Sequence, residues 1–303
     1  MSCIKKAGVL GAGVMGATIA AHLANAGLDV ILLDIVPREL TEEEKKKGLS
    51  LESPQVRNRI AKNGLDDLVK MKPAPFLLKE YAQRIEVGNF VDHAHRLQEC
   101  DWVIEVVVEN MDIKKKLFSE TVGPNMKDEA VLSTNTSGLS VNEMATALPP
   151  EVRKNFMVTH FFNPPRYMRL MEVVGCNEAD PAKVRFMADF INKRLGKGIV
   201  FAKDTPNFIG NRIGVYAIFK SIQHMMDMGM SVEEVDAVAG KPTARPKSAA
   251  FRTADLVGLD TLVHVGNNSY EALVEDEERD VFKLPDWVQN MVKNNQLGNK
   301  TKQ

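Results

Sequence analysis

A glycine pattern near the N-terminus, Gly11-Ala12-Gly13-Val14-Met15-Gly16, constrains the fold of this chain more than any other feature. It fits G-x-G-x-x-G, and its surroundings give the match weight. A short apolar run (residues 4–10) precedes it, and a small-residue helix (about 14–26) follows, with Gly27 as its stop. Val30-Ile31-Leu32-Leu33 then reads as a buried parallel strand, apolar without alternation, and Asp34 ends it. The first glycine allows a tight turn, the second lets the backbone approach a pyrophosphate, and the third lets helix and strand pack closely. The phosphates would sit at the helix start, beside Val14 and Met15, where unpaired N–H groups and the helix dipole favour anions. Asp34 would bond both ribose hydroxyls and repel a 2′-phosphate, which favours NAD over NADP. A flavin dinucleotide is the weaker alternative, since no second flavin-contacting feature accompanies the motif. The plainest alternative is a glycine turn that only packs a helix.

Strand and helix keep alternating beyond this unit. A polar helical insert is expected at 41–87, where Glu42-Glu43-Glu44-Lys45-Lys46-Lys47 places acids three and four residues ahead of bases. A solvated face explains that run well enough. The parallel pattern resumes with strands at 102–108, 130–133 and 156–159 and helices at 113–121 and 141–148, and 170–174 and 197–202 are further strand candidates. This predicts an α/β fold with an N-terminal Rossmann-type doubly wound parallel sheet carrying a helical insert. After Asp204-Thr205-Pro206 the texture changes. Thr205 reads as an N-cap with Pro206 in the first helical position, 208–228 as one long helix, and Ser231 with Glu234 as a capping box. The expected organisation is a dinucleotide-binding domain at 1–203 and a smaller all-α domain at 204–303. Met225, Met226, Met228 and Met230 read as adaptable packing.

A chain of 303 residues fits about two such domains. With 39 Lys+Arg against 40 Asp+Glu it lacks the basic excess of a nucleic-acid surface. Cys3, Cys100 and Cys176 are too scattered for a disulfide framework or a metal cluster. No metal is expected, and a reducing, cytoplasmic setting is. Lys5-Lys6, the uncharged stretch 7–21 and Ala24-Asn25-Ala26 outline a secretory signal peptide, but the glycine turn and the strand after it explain the same residues better. No run approaches the roughly 18 apolar residues of a membrane span.

Ligands of open parallel sheets bind beyond the carboxyl ends of the strands. There the sequence places Glu109-Asn110, Asn135-Thr136-Ser137 and His160. Taking a hydride from a carbinol carbon also requires removing the hydroxyl proton. A neutral imidazole suits that task, with an unperturbed pKa of about 6.5. Of the six histidines, His22 lies in the first helix, His93 and His95 in a polar turn, and His224 and His264 in the helical part. Only His160 ends a predicted core strand at the cofactor edge. Glu172 lies in the next strand, and a carboxylate on the far ring nitrogen would fix the tautomer and stabilise the imidazolium. The residues alone leave two readings open: a His160–Glu172 dyad, or a satisfied histidine beside a buried, paired glutamate.

Asn135-Thr136-Ser137, His160-Phe161-Phe162-Asn163-Pro164, Glu172, Lys203-Asp204-Thr205-Pro206 and Asn211-Arg212, in this order and spacing, resemble the L-3-hydroxyacyl-CoA dehydrogenase family. The likeness runs from about residue 5 to the end. It is nearest to the dehydrogenase part of large bacterial fatty-acid-oxidation proteins, in which a crotonase-like enoyl-CoA hydratase region follows. The resemblance implies His160 as general base, Glu172 as its partner, and Ser137 and Asn211 as the groups holding the substrate oxygen. It implies Asn163 near nicotinamide and substrate, and Asp34, Glu109 and Lys114 at the riboses of NAD. The implied reaction turns L-3-hydroxyacyl-CoA and NAD into 3-oxoacyl-CoA and NADH. A helical second domain that closes the cleft and makes a homodimer is implied as well.

Three departures from the family pattern stand out. Many relatives have Gly-Pro-Phe ahead of an acidic residue in the second domain, where this chain has Arg245-Pro246-Lys247-Ser248-Ala249-Ala250-Phe251 before Asp255. The insert is longer than in short stand-alone enzymes. In relatives it touches coenzyme A, so Arg57, Arg59, Lys62, Lys70 and Lys72 are candidates for its phosphates. Relatives end in Lys-Thr-Gly-x-Gly-Phe-Tyr and this chain in Lys300-Thr301-Lys302-Gln303, which leads to the expectation of a piece of a longer protein. The competing functions are a related dehydrogenase of a non-CoA 3-hydroxy acid and a non-catalytic NAD-binding protein.

Overall fold

The computed structural model describes residues 4–302, so Cys3 and Gln303 lie outside the described residues. The chain divides into two compact units, Met1–Asp204 and Thr205–Gln303.

The first unit is built on eight strands: β1 (Lys6–Leu10), β2 (Asp29–Asp34), β3 (Ile85–Asn89), β4 (Trp102–Glu105), β5 (Val131–Thr134), β6 (Phe156–Phe161), β7 (Leu170–Gly175) and β8 (Gly198–Phe201). They form one sheet in the order β3-β2-β1-β4-β5-β6-β7-β8. The order reverses direction at β1, which creates the crevice where doubly wound sheets bind ligands. Helices α1 (Val14–Asn25), α5 (Met111–Leu117), α6 (Val141–Ala145), α7 (Pro150–Arg153) and α8 (Pro181–Leu195) lie between strands, and α2 (Glu42–Lys46), α3 (Pro54–Arg57) and α4 (Arg59–Lys70) belong to the insert. In α1 the run from Gly16 to Ala24 is buried, and its alanines let it sit close to the sheet. Trp102 is fully buried, and its indole N–H donates to Ser133 Oγ at 2.9 Å, which in turn meets Thr159 Oγ1 at 2.8 Å. Its polar atom is thus satisfied while the ring contributes on the order of 3 kcal/mol of burial.

Four features differ from the sequence expectation. The stretch 41–87 is not helical throughout, because it ends in the edge strand β3, parallel to β2. A five-residue edge strand with Glu86 exposed lacks the continuous apolar run that marks a central one. Helix α8 adds to the expected elements: Asp180 caps it, Pro181 starts it and Gly196 at φ 67° ends it. Strand β7 runs antiparallel to β6, whereas all other neighbours are parallel. The connection 162–169 explains this, because a parallel return needs about a dozen residues or more. Finally, Thr205 caps no long helix. Asn207 and Phe208 adopt positive φ angles of 61° and 48°, which interrupt helical geometry before the helix can begin.

The second unit is helical: α9 (Gly210–Met228), α10 (Val232–Val238), α11 (Phe251–Val257), α12 (Leu259–Ala272) and α13 (Asp286–Lys293). Its core is formed by Phe219, Ile222, Ala254, Leu262, Phe282 and Val288, among others. Ser231 and Glu234 form the expected capping box at α10. The helix opening at Glu42 has a second one, from Thr41 and Glu44.

Candidate active site

The carboxyl ends of β1, β2, β4, β5 and β6 deliver the candidate residues to one edge of the first unit. At the end of β1, Gly11 has φ 108°, and a Cβ there would stand 2.6 Å from the Val106 carbonyl oxygen. A Cβ on Gly16 would stand 1.8 Å from the Gly11 carbonyl oxygen, so α1 can begin here only on glycine. A Cβ on Gly13 would meet nothing within 4 Å. That opening lies at the start of α1, whose first N–H groups have no side-chain cap. Asp34 Oδ2 accepts the Ala12 N–H at 2.6 Å and Oδ1 the Ile35 N–H at 2.7 Å. A carboxylate has about four acceptor positions, so two remain for ribose hydroxyls. Gly11, Gly13, Asp34, Arg38, Val106 and Ile113 line a cleft of about 590 Å³. Anion-ready backbone, a ribose-height carboxylate and apolar walls fit a dinucleotide. Arg38 escaped sequence reading because nothing in its local pattern marks it.

His160 and Glu172 are directly opposed across the β6–β7 ladder. His160 Nδ1 lies 2.7 Å from Glu172 Oε2, with His160 buried and Glu172 fully so. A carboxylate only accepts, so this contact fits an Nδ1–H that donates to Glu172. The Phe162 ring tilts against the imidazole, 4.4 Å between centroids. Ser137 follows β5, half-buried, in a turn flanked by Thr136 and Gly138. Asn135 Oδ1 accepts the Phe161 N–H at 2.8 Å, which ties that turn to the end of β6. Asn163 is exposed in the turn after β6 and, with Val14, Thr18 and Met71, lines a smaller cavity. Asn211 is the second residue of α9, in the other unit.

Glu109 and Lys114 come together at the end of β4, but with different surroundings. The Lys114 ammonium is almost completely buried, 2.7 Å from Glu105 Oε1 and 3.4 Å from Glu109 Oε2. Glu109 is partly exposed. Sequence reading missed Glu105, a charged residue inside an apolar strand, where burial pushes its carboxyl up and Lys114 opposes the shift. It also missed Lys197, which is buried and donates to the carbonyls of Pro165 and Met168, the latter at 2.7 Å. Burial pushes Lys197 down to about 8. Arg166 of the same turn donates to the carbonyls of Ala74 and Phe76 at 2.6 and 2.8 Å, fastening it to the insert.

The basic residues of the insert separate into two groups. Arg57 pairs with Asp92 and Glu52, Arg59 with Glu44, and Lys62 with Asp66. Lys70 and Lys72 form no ion pair among the described residues. Among those residues no group of three His, Cys, Asp or Glu is arranged to hold a metal ion. No helix there is long and apolar enough to cross a membrane.

The sequence of the first unit matches the family model described as 3-hydroxyacyl-CoA dehydrogenase, NAD binding domain, over residues 6–205. The model of the C-terminal domain of the same family matches residues 208–303. The chain is 48% identical over 300 residues to a Bacillus subtilis protein named probable 3-hydroxyacyl-CoA dehydrogenase, covering 99% of this chain and 38% of that protein. A Deinococcus radiodurans protein of the same name is 42% identical over 298 residues, with 98% of this chain and 81% of that protein covered. The solved structure of (S)-3-hydroxybutyryl-CoA dehydrogenase from Ralstonia eutropha is similar at a TM-score of 0.74 and 27% identity, covering 99% of this chain and 97% of that one. The chain belongs to the 3-hydroxyacyl-CoA dehydrogenase family of NAD-dependent oxidoreductases, and its first unit is that family's NAD-binding domain.

Proposed function

We propose that the chain oxidises L-3-hydroxyacyl-CoA to 3-oxoacyl-CoA in fatty-acid β-oxidation, with His160 as general base. The observation that carries this reading is the 2.7 Å contact between His160 Nδ1 and Glu172 Oε2, at the sheet edge that also holds the dinucleotide cradle. Bound NAD supplies the hydride acceptor. Nε2 of His160 takes the proton of the 3-hydroxyl as C3 is oxidised. Glu172 accepts a hydrogen bond from Nδ1–H, so the ring presents Nε2 as its basic nitrogen, and the carboxylate's buried charge stabilises the imidazolium that forms. The Ser137 side chain holds the substrate oxygen, and Asn163 borders nicotinamide and substrate. Asp34 and Glu109 take the ribose hydroxyls. A base so placed contributes roughly 10²–10⁴-fold.

The Ralstonia neighbour is named for the (S) enantiomer, which corresponds to L, and this supports the stereochemistry. We extend the proposal to a homodimer in the cytoplasm; the chain spans 38% of the length of the Bacillus relative. The deciding assay follows NADH absorbance with acetoacetyl-CoA and, separately, with acetoacetate. Consumption with the thioester alone is expected. Equal consumption with the free acid would replace the CoA reading, and none with either would remove the enzymatic one.

A further inference from the structure

Glu109 is expected, by family likeness, to be a ribose contact. Its surroundings give it another task. Glu109 Oε1 accepts the Gly138 N–H at 3.0 Å and the Thr136 hydroxyl. These two donors stand on either side of Ser137, so one carboxylate oxygen clamps the turn that presents it. The other oxygen faces Lys114, whose ammonium is 3.4 Å away. Lys114 is itself pinned, 2.7 Å from Glu105 Oε1 and 3.3 Å from the Val107 carbonyl. Glu105 is fully buried, and its second oxygen accepts the Thr134 hydroxyl at 2.5 Å. The Thr134 hydroxyl in turn accepts the Thr136 N–H at 3.2 Å. One line of hydrogen bonds through Thr134, and one line through the Lys114–Glu109 ion pair, thus leave a single buried carboxylate and converge on the residue before Ser137.

Surface ion pairs place little, because water and salt screen them. This arrangement differs, since a buried ammonium between two carboxylates has no water to turn to and gives up much if either partner moves. Lys114, at 1% side-chain exposure, is also too enclosed to present its charge to a bound ligand. Its effect must pass through Glu109.

We propose that Glu109, aimed by the buried Lys114–Glu105 pair, is a positioning residue for Ser137, so that the nucleotide side and the substrate side of the site are fixed by a single carboxylate. The inference rests on the reading of Ser137 as a holder of the substrate oxygen.

The test is a double-mutant cycle in the full chain between Ser137→Ala and Glu109→Ala. It is read as kcat and KM for acetoacetyl-CoA and, separately, as NADH affinity by fluorescence. Each single substitution is expected to lower kcat/KM for acetoacetyl-CoA by about tenfold or more, and the double to fall within about twofold of Ser137→Ala alone. Thr136→Val supplies a second, milder variant should Glu109→Ala fold poorly. It removes one arm of the clamp at a residue with no expected cofactor contact. It should lower kcat with NADH affinity unchanged to within about twofold.

Independent, multiplying losses in the double mutant would overturn the inference while leaving the role of Ser137 intact. So would a Glu109→Ala or Thr136→Val enzyme whose only defect is NADH affinity. Full activity of Ser137→Ala would remove the inference together with the proposed role of Ser137, while the His160 base would stand on its own test.

Discussion

His22 gives the first unit a pH sensitivity whose size follows from its surroundings. It is buried in α1, its ring edge-on to Phe161 at 6.4 Å, and among the described residues neither ring nitrogen has a hydrogen-bond partner at normal geometry. Burial, then the charges of Lys197 and Arg166, hold it down to about 4, and the nearby Leu195 carbonyl only partly opposes them. In the unfolded chain it titrates near 6.5. Between these values the unfolded state binds a proton that the folded state refuses. The group's contribution is therefore present above about pH 6.5 and is lost as pH falls toward 4. The full shift corresponds to about 3 kcal/mol, of which about 2 kcal/mol is already lost near pH 5.

The perturbation is His22→Leu, which keeps the bulk and removes the titration. Urea unfolding followed by Trp102 emission, in a Trp287→Phe background, reports on the unit that contains His22. The parent should lose about 2 kcal/mol more than His22→Leu between about pH 7 and pH 5. Carboxylates titrate in both proteins and cancel in the difference. Near neutral pH the variant should match or exceed the parent, because it deletes two unpaired polar atoms. Parallel pH dependence in the two proteins would refute the reasoning, as would a variant that loses stability only at neutral pH.

Three further outcomes are expected. His160→Ala should lower kcat by about 10²–10⁴-fold with NADH affinity preserved, and Glu172→Gln should lower it by at least about tenfold; burst and steady-state kinetics with acetoacetyl-CoA check both. Asp34→Ser should raise the ratio of kcat/KM for NADPH over NADH by about tenfold or more without an added arginine, because Arg38 already lines the cleft; an unchanged ratio would count against the ribose role of Asp34. Charge reversal at Lys70 and Lys72 together should raise KM for acetoacetyl-CoA by about threefold to tenfold at low salt and less at high salt, whereas reversal at Lys62, already paired with Asp66, should change it little.

The legible parts of the molecule were those in which a residue type is dictated by local geometry. Gly11 and Gly16 announce themselves because a Cβ would collide with backbone. The central strands announce themselves because both faces are buried. Strand β3 was hidden by lying at an edge, where one partner and partial exposure permit Glu86 and Gly88. Helix α8 carries ordinary signals, an Asp-Pro start and a glycine stop. Glu105 was hidden for the opposite reason. Its strand reads as apolar core, and a carboxylate there makes sense only once Lys114, nine positions on, folds back beneath it.

The antiparallel β7 shows how much of the site depends on direction rather than composition. Two parallel neighbours stagger their hydrogen bonds, whereas an antiparallel pair sets residues directly opposite, with Cβ atoms about 5 Å apart on the same face. A histidine and a glutamate facing each other in this way reach contact without bending the backbone, as the 2.7 Å between His160 and Glu172 requires. Moving the acid by one position would turn it to the other face of the sheet, and by two would take it about 7 Å along the strand. The short return 162–169 therefore sets this pairing. It forces β7 to run backward, and that reversal opposes acid and imidazole at the edge where the dinucleotide cradle opens.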